Sequence, residues 1–198
     1  MTFAGTAARG SAIGTATEGM YAHLNDTDTL TYYNGSAWVD RIGASAGILQ
    51  VVSTTKTDTF TTSSSTFADI TGLSATITPS SASSKIYVSV SLVSSMNVAS
   101  TASHFRLLRD STAIALGDAA GSRIRASSGS YAANSNESAP VPITFLDSPA
   151  TTSATTYKVQ MSSVQNGIQS VINRSNGDAD SILSGRYVSV ITLMEVAA

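Results

Sequence analysis

The chain has 198 residues, with 11 basic and 13 acidic side chains, a formal charge of −2 and a charged fraction of 12%, about half of the ~25% usual in soluble globular domains. With 34 Ser and 25 Thr, small hydroxyls wet the surface in place of ions. The three Lys and eight Arg are scattered along the chain, without the clustering that a polyanion partner requires, which argues against nucleic acid.

A hydrophobic fraction of 42% without a single Cys allows a packed core and excludes a disulfide framework, thiolate metal ligands and a Cys nucleophile. No run approaches the ~18 apolar residues of a membrane-spanning helix. The start, MTFAGTAARG, lacks the basic-then-apolar layout of a signal peptide. The reading expects a soluble chain without membrane insertion that begins at or near Met1.

Residues 1–22 are mostly Ala, Gly, Thr and Ser, with Phe3, Ile13, Met20 and Tyr21 as isolated apolar side chains. They show neither strand alternation nor a helical stripe and read as an extended N-terminal arm. Extended at ~3.3 Å per residue, such an arm spans about 70 Å. Residues 23–48 read as a β-hairpin collar with a linker. Thr29–Tyr33 and Ser36–Asp40 flank Asn34-Gly35, the strongest short hairpin signal, for which a type I′ turn is expected. Tyr32, Tyr33 and Trp38 read as cross-strand packing that cements this ribbon rather than as a sugar-stacking platform. Arg41–Ile48, with Gly43 and Gly47, reads as the linker.

From residue 49 to 198 short apolar stretches alternate with turn residues. Strands are expected over Gln50–Lys56, Thr57–Thr62, Ser65–Thr71, Ser74–Thr78, Ile86–Met96, His104–Asp110, Thr112–Leu116, Val141–Asp147, Thr156–Ser163, Ile168–Asn173 and Arg186–Val196. Strands at this frequency without a helical period predict an all-β sandwich. Ile86, Val88, Val90 and Leu92 point to the core, while Tyr87 on the opposite face is a candidate subunit contact. Pro140 and Pro142 confine their strand to an edge or a bulge. Gly117–Ala139 reads as a long loop, and the final strand as central and buried on both faces.

Chemistry is sparse. The imidazoles are His23 and His104, no Gly-x-Ser-x-Gly elbow occurs, and carboxylates are not paired by spacing, so no enzymatic activity and no cofactor are assigned. Asp26-Thr27-Asp28 and Asn176-Gly177-Asp178-Ala179-Asp180 offer oxygen ligands in principle. Neither continues into a calcium loop, and both read as turns with no metal assigned.

Taken together and in order, Ala16–Val39 (ATEGMYAHLNDTDTLTYYNGSAWV), Leu73–Leu92 (LSATITPSSASSKIYVSVSL), Phe105–Arg123 (FRLLRDSTAIALGDAAGSR) and the terminal VSVITLMEV resemble structural proteins of tailed bacteriophages that end in a jelly roll similar to the C1q and tumour necrosis factor domains. The resemblance implies a C1q-like jelly roll over residues 49–198, a homotrimer about a threefold axis, and attachment to the virion through the N-terminal segment. On that basis Phe3, Ile13, Met20 and Tyr21 are the expected attachment residues, and Tyr32, Tyr33, Asn34, Gly35 and Trp38 the collar. The expected partners are further copies of the chain and the major capsid protein or another virion protein, with a host surface glycan as a further candidate. Synthesis is expected in the host cytoplasm. Fewer than fifty residues precede the sandwich and no heptads or fibre repeats occur, so capsid decoration (a cement protein or head fibre) is favoured over a tail-fibre tip that contacts the host.

Overall fold

The computed structural model describes residues 1–40 and 47–197. It divides into two compact units, residues 1–48 joined by the C-terminal tail, and Leu49–Val196. Residues 41–46 of the expected linker lie outside the described residues.

The first unit is a four-stranded sheet in the order β1-β2-β3-β4, made of β1 (Thr2–Phe3), β2 (Tyr21–Leu24), β3 (Thr29–Tyr33) and β4 (Trp38–Asp40), with one helix, α1 (Thr6–Ala12), between β1 and β2. Residues 1–22 are therefore not an extended arm. β1 lies parallel to β2, with Thr2 opposite His23 and Phe3 opposite Leu24. The His23 N–H donates to the Met1 carbonyl at 2.8 Å and the Asn25 N–H to the Phe3 carbonyl at 2.9 Å. Backbone groups alone make these bonds, so no side-chain alternation announces them. Ala7, Ala8 and Ala12 supply the helix propensity of α1, which is too short to show an apolar stripe.

The hairpin forms with a different turn. Tyr33 pairs with Trp38, leaving a four-residue loop, Asn34–Ala37, instead of a two-residue type I′ turn. The Asn34 side-chain oxygen accepts the N–H groups of Ser36 at 3.0 Å and Ala37 at 2.9 Å. This Asx capture competes with the tighter turn, and within the loop only Gly35 has a positive φ, 91°.

The second unit is a jelly-roll β-sandwich. Its strands are β5 (Ile48–Lys56), β6 (Phe60–Thr62), β7 (Ala68–Ile77), β8 (Lys85–Met96), β9 (Thr101–Arg109), β10 (Thr112–Ile114), β11 (Ser128–Ala132), β12 (Ser138–Asp147), β13 (Thr155–Ser163), β14 (Ser170–Ile172) and β15 (Ser189–Val196). One sheet runs β10-β9-β13-β7 with β11 also on β9, and the other runs β5-β15-β8-β14-β6 with β12 also on β8. Inward-facing side chains, among them Leu73, Ile86, Phe105, Tyr157 and Leu193, form one core between the sheets.

Three local readings change. The two strands expected over residues 65–78 are one, β7, bent by a bulge. Lys158 stands opposite Ser74 but Gln160 opposite Asp69, and Gly72 takes φ 78° at the break, which a residue without Cβ adopts at little cost. The expected loop over 117–139 contains β11, concealed because its inward positions are the small Ser130 and Ala132. β15 is central but not buried on both faces: Ser189, Ile191, Leu193 and Glu195 are buried, and the side chains between them are half-exposed. As its prolines lead one to expect, β12 takes an edge position: among the described residues it pairs with β8 alone, over ten unbroken residue pairs that include Pro140 opposite Val93 and Pro142 opposite Ser91.

Polar groups close one end of the core. Asp147 and Glu195 flank Ile86 across β8, and all three are buried. Asp147 accepts two hydrogen bonds from Arg109 Nη1, at 3.0 and 2.9 Å, and one from the Tyr157 hydroxyl at 2.6 Å, tying the two sheets together. Burial first, and then the neighbouring carboxylate, push the Tyr157 phenol well above its ordinary pKa, so it stays a hydrogen-bond donor. Burial alone would raise the Glu195 carboxyl. Hydrogen bonds donated by Gln50, Ser80 and Ser84 outweigh it and bring the pKa down to about 2.

Candidate functional site

The residues expected in attachment lie in the first unit and are partly exposed. Phe3 sits in β1, Ile13 ends α1, Met20 precedes β2 and Tyr21 opens it. Tyr21 is 47% exposed and its ring lies 6.2 Å from that of Tyr32. Tyr33 and Trp38 meet edge to face at 5.7 Å, so the collar aromatics pack across strands in the favoured geometry. The residue that sequence reasoning missed is Arg9. From α1 its guanidinium lies 4.5 Å from the centre of the Trp38 ring and donates to Thr31 Oγ1 at 3.0 Å. A cation over an indole face is attractive, and this contact holds the helix against the hairpin. A single Arg among small residues carries no sequence pattern that would have revealed it.

The second surface is the outer face of the six-stranded sheet. The register of β8 against β15 and β12 aligns Met194, Tyr87 and Leu146 in one cross-strand row, Thr192, Ser89 and Thr144 in the next, and Val190, Ser91 and Pro142 in a third. On β5, Ser53 hydrogen-bonds Thr192 at 3.0 Å, and alternation places Leu49 and Val51 on the same face. Val51 is 55% exposed, Leu146 47% and Leu49 42%. Lys85, at the end of β8, is the one charged side chain among these outward positions of β5, β8, β12 and β15. Tyr87, singled out by the alternation of its strand, lies at the centre of the apolar row.

Among the described residues the imidazoles and the acidic turn residues stand in separate local contacts. His104, on the outer face of β9, is pushed below its ordinary pKa by burial, and its ladder neighbours are Gly129 and Ser162. His23 binds Asp28 at 3.0 Å across the turn containing Asp26 and Asp28. Asp178 is paired with Arg186 at 2.6 Å and Arg174 at 3.9 Å. Asp28 and Asp178 both take positive φ, 49° and 47°, as turn residues do. Among the described residues no group of three or more His, Cys, Asp or Glu side chains is placed to hold a metal ion.

No protein-family model matches the chain, and no curated protein does. Among solved structures, the chain is similar to the infectious bursal disease virus VP2 subviral particle, at 13% identity and a TM-score of 0.43, over 87% of this chain and 50% of that one. It is similar to the structure of the Gx strain of that virus at 14% identity and a TM-score of 0.40, over 85% of this chain and 45% of that one. For the T=1 particles derived from the virus the figures are 14% and 0.39, over 89% and 47%. The chain thus spans about half the length of the solved chains it matches.

Proposed function

We propose that the protein is a structural component of a tailed-phage virion: a homotrimeric capsid decoration protein whose jelly roll associates with two further copies and whose N-terminal unit attaches to the major capsid protein. The observation that carries the reading is the outer face of the six-stranded sheet. It presents three cross-strand rows in register, of which Met194, Tyr87 and Leu146 form a wholly apolar one, beside the exposed Leu49 and Val51, and an apolar patch of this kind marks a contact surface. Association of such faces removes apolar area from water at about 25 cal/mol per Å², and with Lys85 as the one charge among its outward strand positions little ion desolvation opposes it. The resemblance of the sequence strings to phage jelly-roll proteins supports the same assembly.

In this reading attachment belongs to a folded unit and not to an arm that orders on binding. Phe3, Ile13, Met20 and Tyr21 are offered on a preformed sheet and helix, so the ordering cost of roughly 1 to 2 kcal/mol per backbone residue is met within the protein itself. Three such units in one trimer would add to one another by effective concentration.

Sedimentation equilibrium of the full chain is expected to give a trimer at micromolar concentration, and Tyr87→Arg combined with Leu146→Arg a folded monomer. A wild-type monomer would overturn the threefold reading. Electron microscopy of purified particles carrying labelled protein is expected to show the label on heads. Label confined to tails would replace decoration with the tail-fibre alternative.

A further inference from the structure

The second unit carries a cleft of about 570 Å³ lined by residues 65–67 and 122–125 together with Arg106 and Gln160. Three of the chain's eight arginines meet there, and no carboxylate lines it. Among the described residues, no ion pair engages Arg106, Arg123 or Arg125. In a protein of net charge −2, this is a local concentration of unneutralised positive charge.

The arginines are held in place. Arg106, on β9, stacks its guanidinium 3.8 Å from the centre of the Phe67 ring and donates Nε–H to the Arg125 carbonyl at 3.1 Å. Arg125 donates its own Nε–H to the Gly117 carbonyl at 2.7 Å. The segment that bears Arg123 and Arg125 is closed at its base by the Gly117 N–H bond to the Ala126 carbonyl at 3.2 Å. Arg106 and Arg125 are thus pinned through Nε while their terminal NH₂ groups make no hydrogen bond to protein among the described residues. Those groups are the fork that grips carboxylate or phosphate oxygens. Gln160, directly opposite Arg106 in the ladder, donates its amide N–H to Asp69 at 2.8 Å, leaving its carbonyl oxygen to accept a hydroxyl. The Asp69 carboxylate is itself taken up by Lys158 at 2.7 Å.

We propose that this cleft binds an acidic saccharide, a sugar unit bearing a carboxylate or phosphate. The guanidinium groups meet the oxyanion, Gln160, Ser65 and Ser122 meet hydroxyls, and the apolar edges of Phe67 and Ile124 meet the ring carbons. The volume lies within the range of small-ligand sites, about 300 to 1,000 Å³. Three arginines do not amount to the phosphate-tracking stripe of a nucleic-acid site, and an acidic peptide has no use for the hydroxyl acceptors. The inference is independent of where the protein sits on a particle and of its oligomeric state.

Isothermal titration of the full chain at low salt tests it. The probes are trigalacturonate, a phosphorylated maltotriose, neutral maltotriose and a short polyglutamate. Binding of trigalacturonate, of the phosphorylated glucan or of both is expected, and which of them binds identifies the oxyanion. Neutral maltotriose and polyglutamate should bind at least tenfold more weakly. Arg106→Gln and Arg125→Gln should each weaken the acidic sugar at least tenfold, whereas Arg186→Gln, outside the cleft, should not. NMR of the wild-type arginine Nε–H groups gives a second readout that needs no variant: Arg106 and Arg125 should shift on titration while Arg174 and Arg186 stay put. Failure of both acidic sugars to bind, polyglutamate binding as tightly, or binding that leaves the Arg106 and Arg125 signals unmoved would each overturn the proposal.

Discussion

Among the described residues, the N-terminal unit buries fully just Ala22, Leu24 and Thr31, whereas the sandwich closes two sheets over a continuous core that runs from Ile70 to Leu193. The same low-charge, hydroxyl-rich alphabet builds both, so composition does not account for the difference. Layering does. A small sheet covered only by a seven-residue helix has no full second layer within its own unit, and small sheets are marginal in water. The first unit makes up the deficit at its surface, with tyrosine and tryptophan pairs, a parallel strand of two residues, and one arginine laid over an indole. The sandwich can therefore lose a surface contact with little consequence, and the first unit cannot.

The single tryptophan, Trp38, lies in the first unit, so its fluorescence follows that unit while far-UV circular dichroism is dominated by the sandwich. In urea the fluorescence midpoint is expected at lower denaturant than the dichroism midpoint. Coincident midpoints would abolish the contrast. The largest single effect is expected from Phe105→Ala or Leu193→Ala, which should cost about 3 to 5 kcal/mol through lost transfer and an unfilled cavity and shift the dichroism transition.

Glu195→Ala is next, at about 3 kcal/mol, because it leaves buried donors without their charged acceptor. The pH dependence has a definite sign. The folded pKa of Glu195 lies below the ordinary value, at about 2. Its contribution is therefore complete above the unfolded pKa of ~4.3 and is lost as the pH falls toward the folded value. Urea midpoints at pH 7, 4 and 2.5 should decline in the wild type, and less steeply in Glu195→Gln.

Smaller effects should fall on the first unit. Arg9→Ala is expected to cost about 1 kcal/mol, a cation–π contact and a hydrogen bond. It should move the Trp38 transition and leave the dichroism transition in place. Asn34→Ala should have the smallest effect, below about 1 kcal/mol, since two exposed hydrogen bonds of the loop are exchanged for water. Amide exchange at Ser36 and Ala37 would register it.

Much of the sandwich was legible because its strands alternate. Ile86, Val88, Val90 and Leu92 name their own face, and the aromatic run around Asn34 names a hairpin. What escaped notice has little or no side-chain signal. β1 pairs through backbone alone, β11 turns Ser130 and Ala132 inward, and Gly72 could be read as a strand end as easily as a bulge. The same holds for sites. Tyr87 could be suspected from its neighbours in sequence, but its row with Met194 and Leu146 exists only through the pairing of three strands. Arg106, Arg123 and Arg125 looked scattered, and a loop closed between Gly117 and Ala126 gathers them.

The ten-pair ladder of β12 has a further consequence along the edge that no described strand pairs with. The register with β8 is unbroken through Pro140 and Pro142, so the nitrogens of these two residues face away from the ladder, where a foreign strand would dock. Neither has a hydrogen to donate, and the pyrrolidine rings crowd the approach. Strand-on-strand polymerisation, the route by which sandwich proteins drift into fibrils when crowded, is interrupted at two neighbouring sites along this margin. A protein that covers itself with hydroxyls instead of mutually repelling charges has little long-range repulsion to keep copies apart, and at this border the two imino acids supply the safeguard.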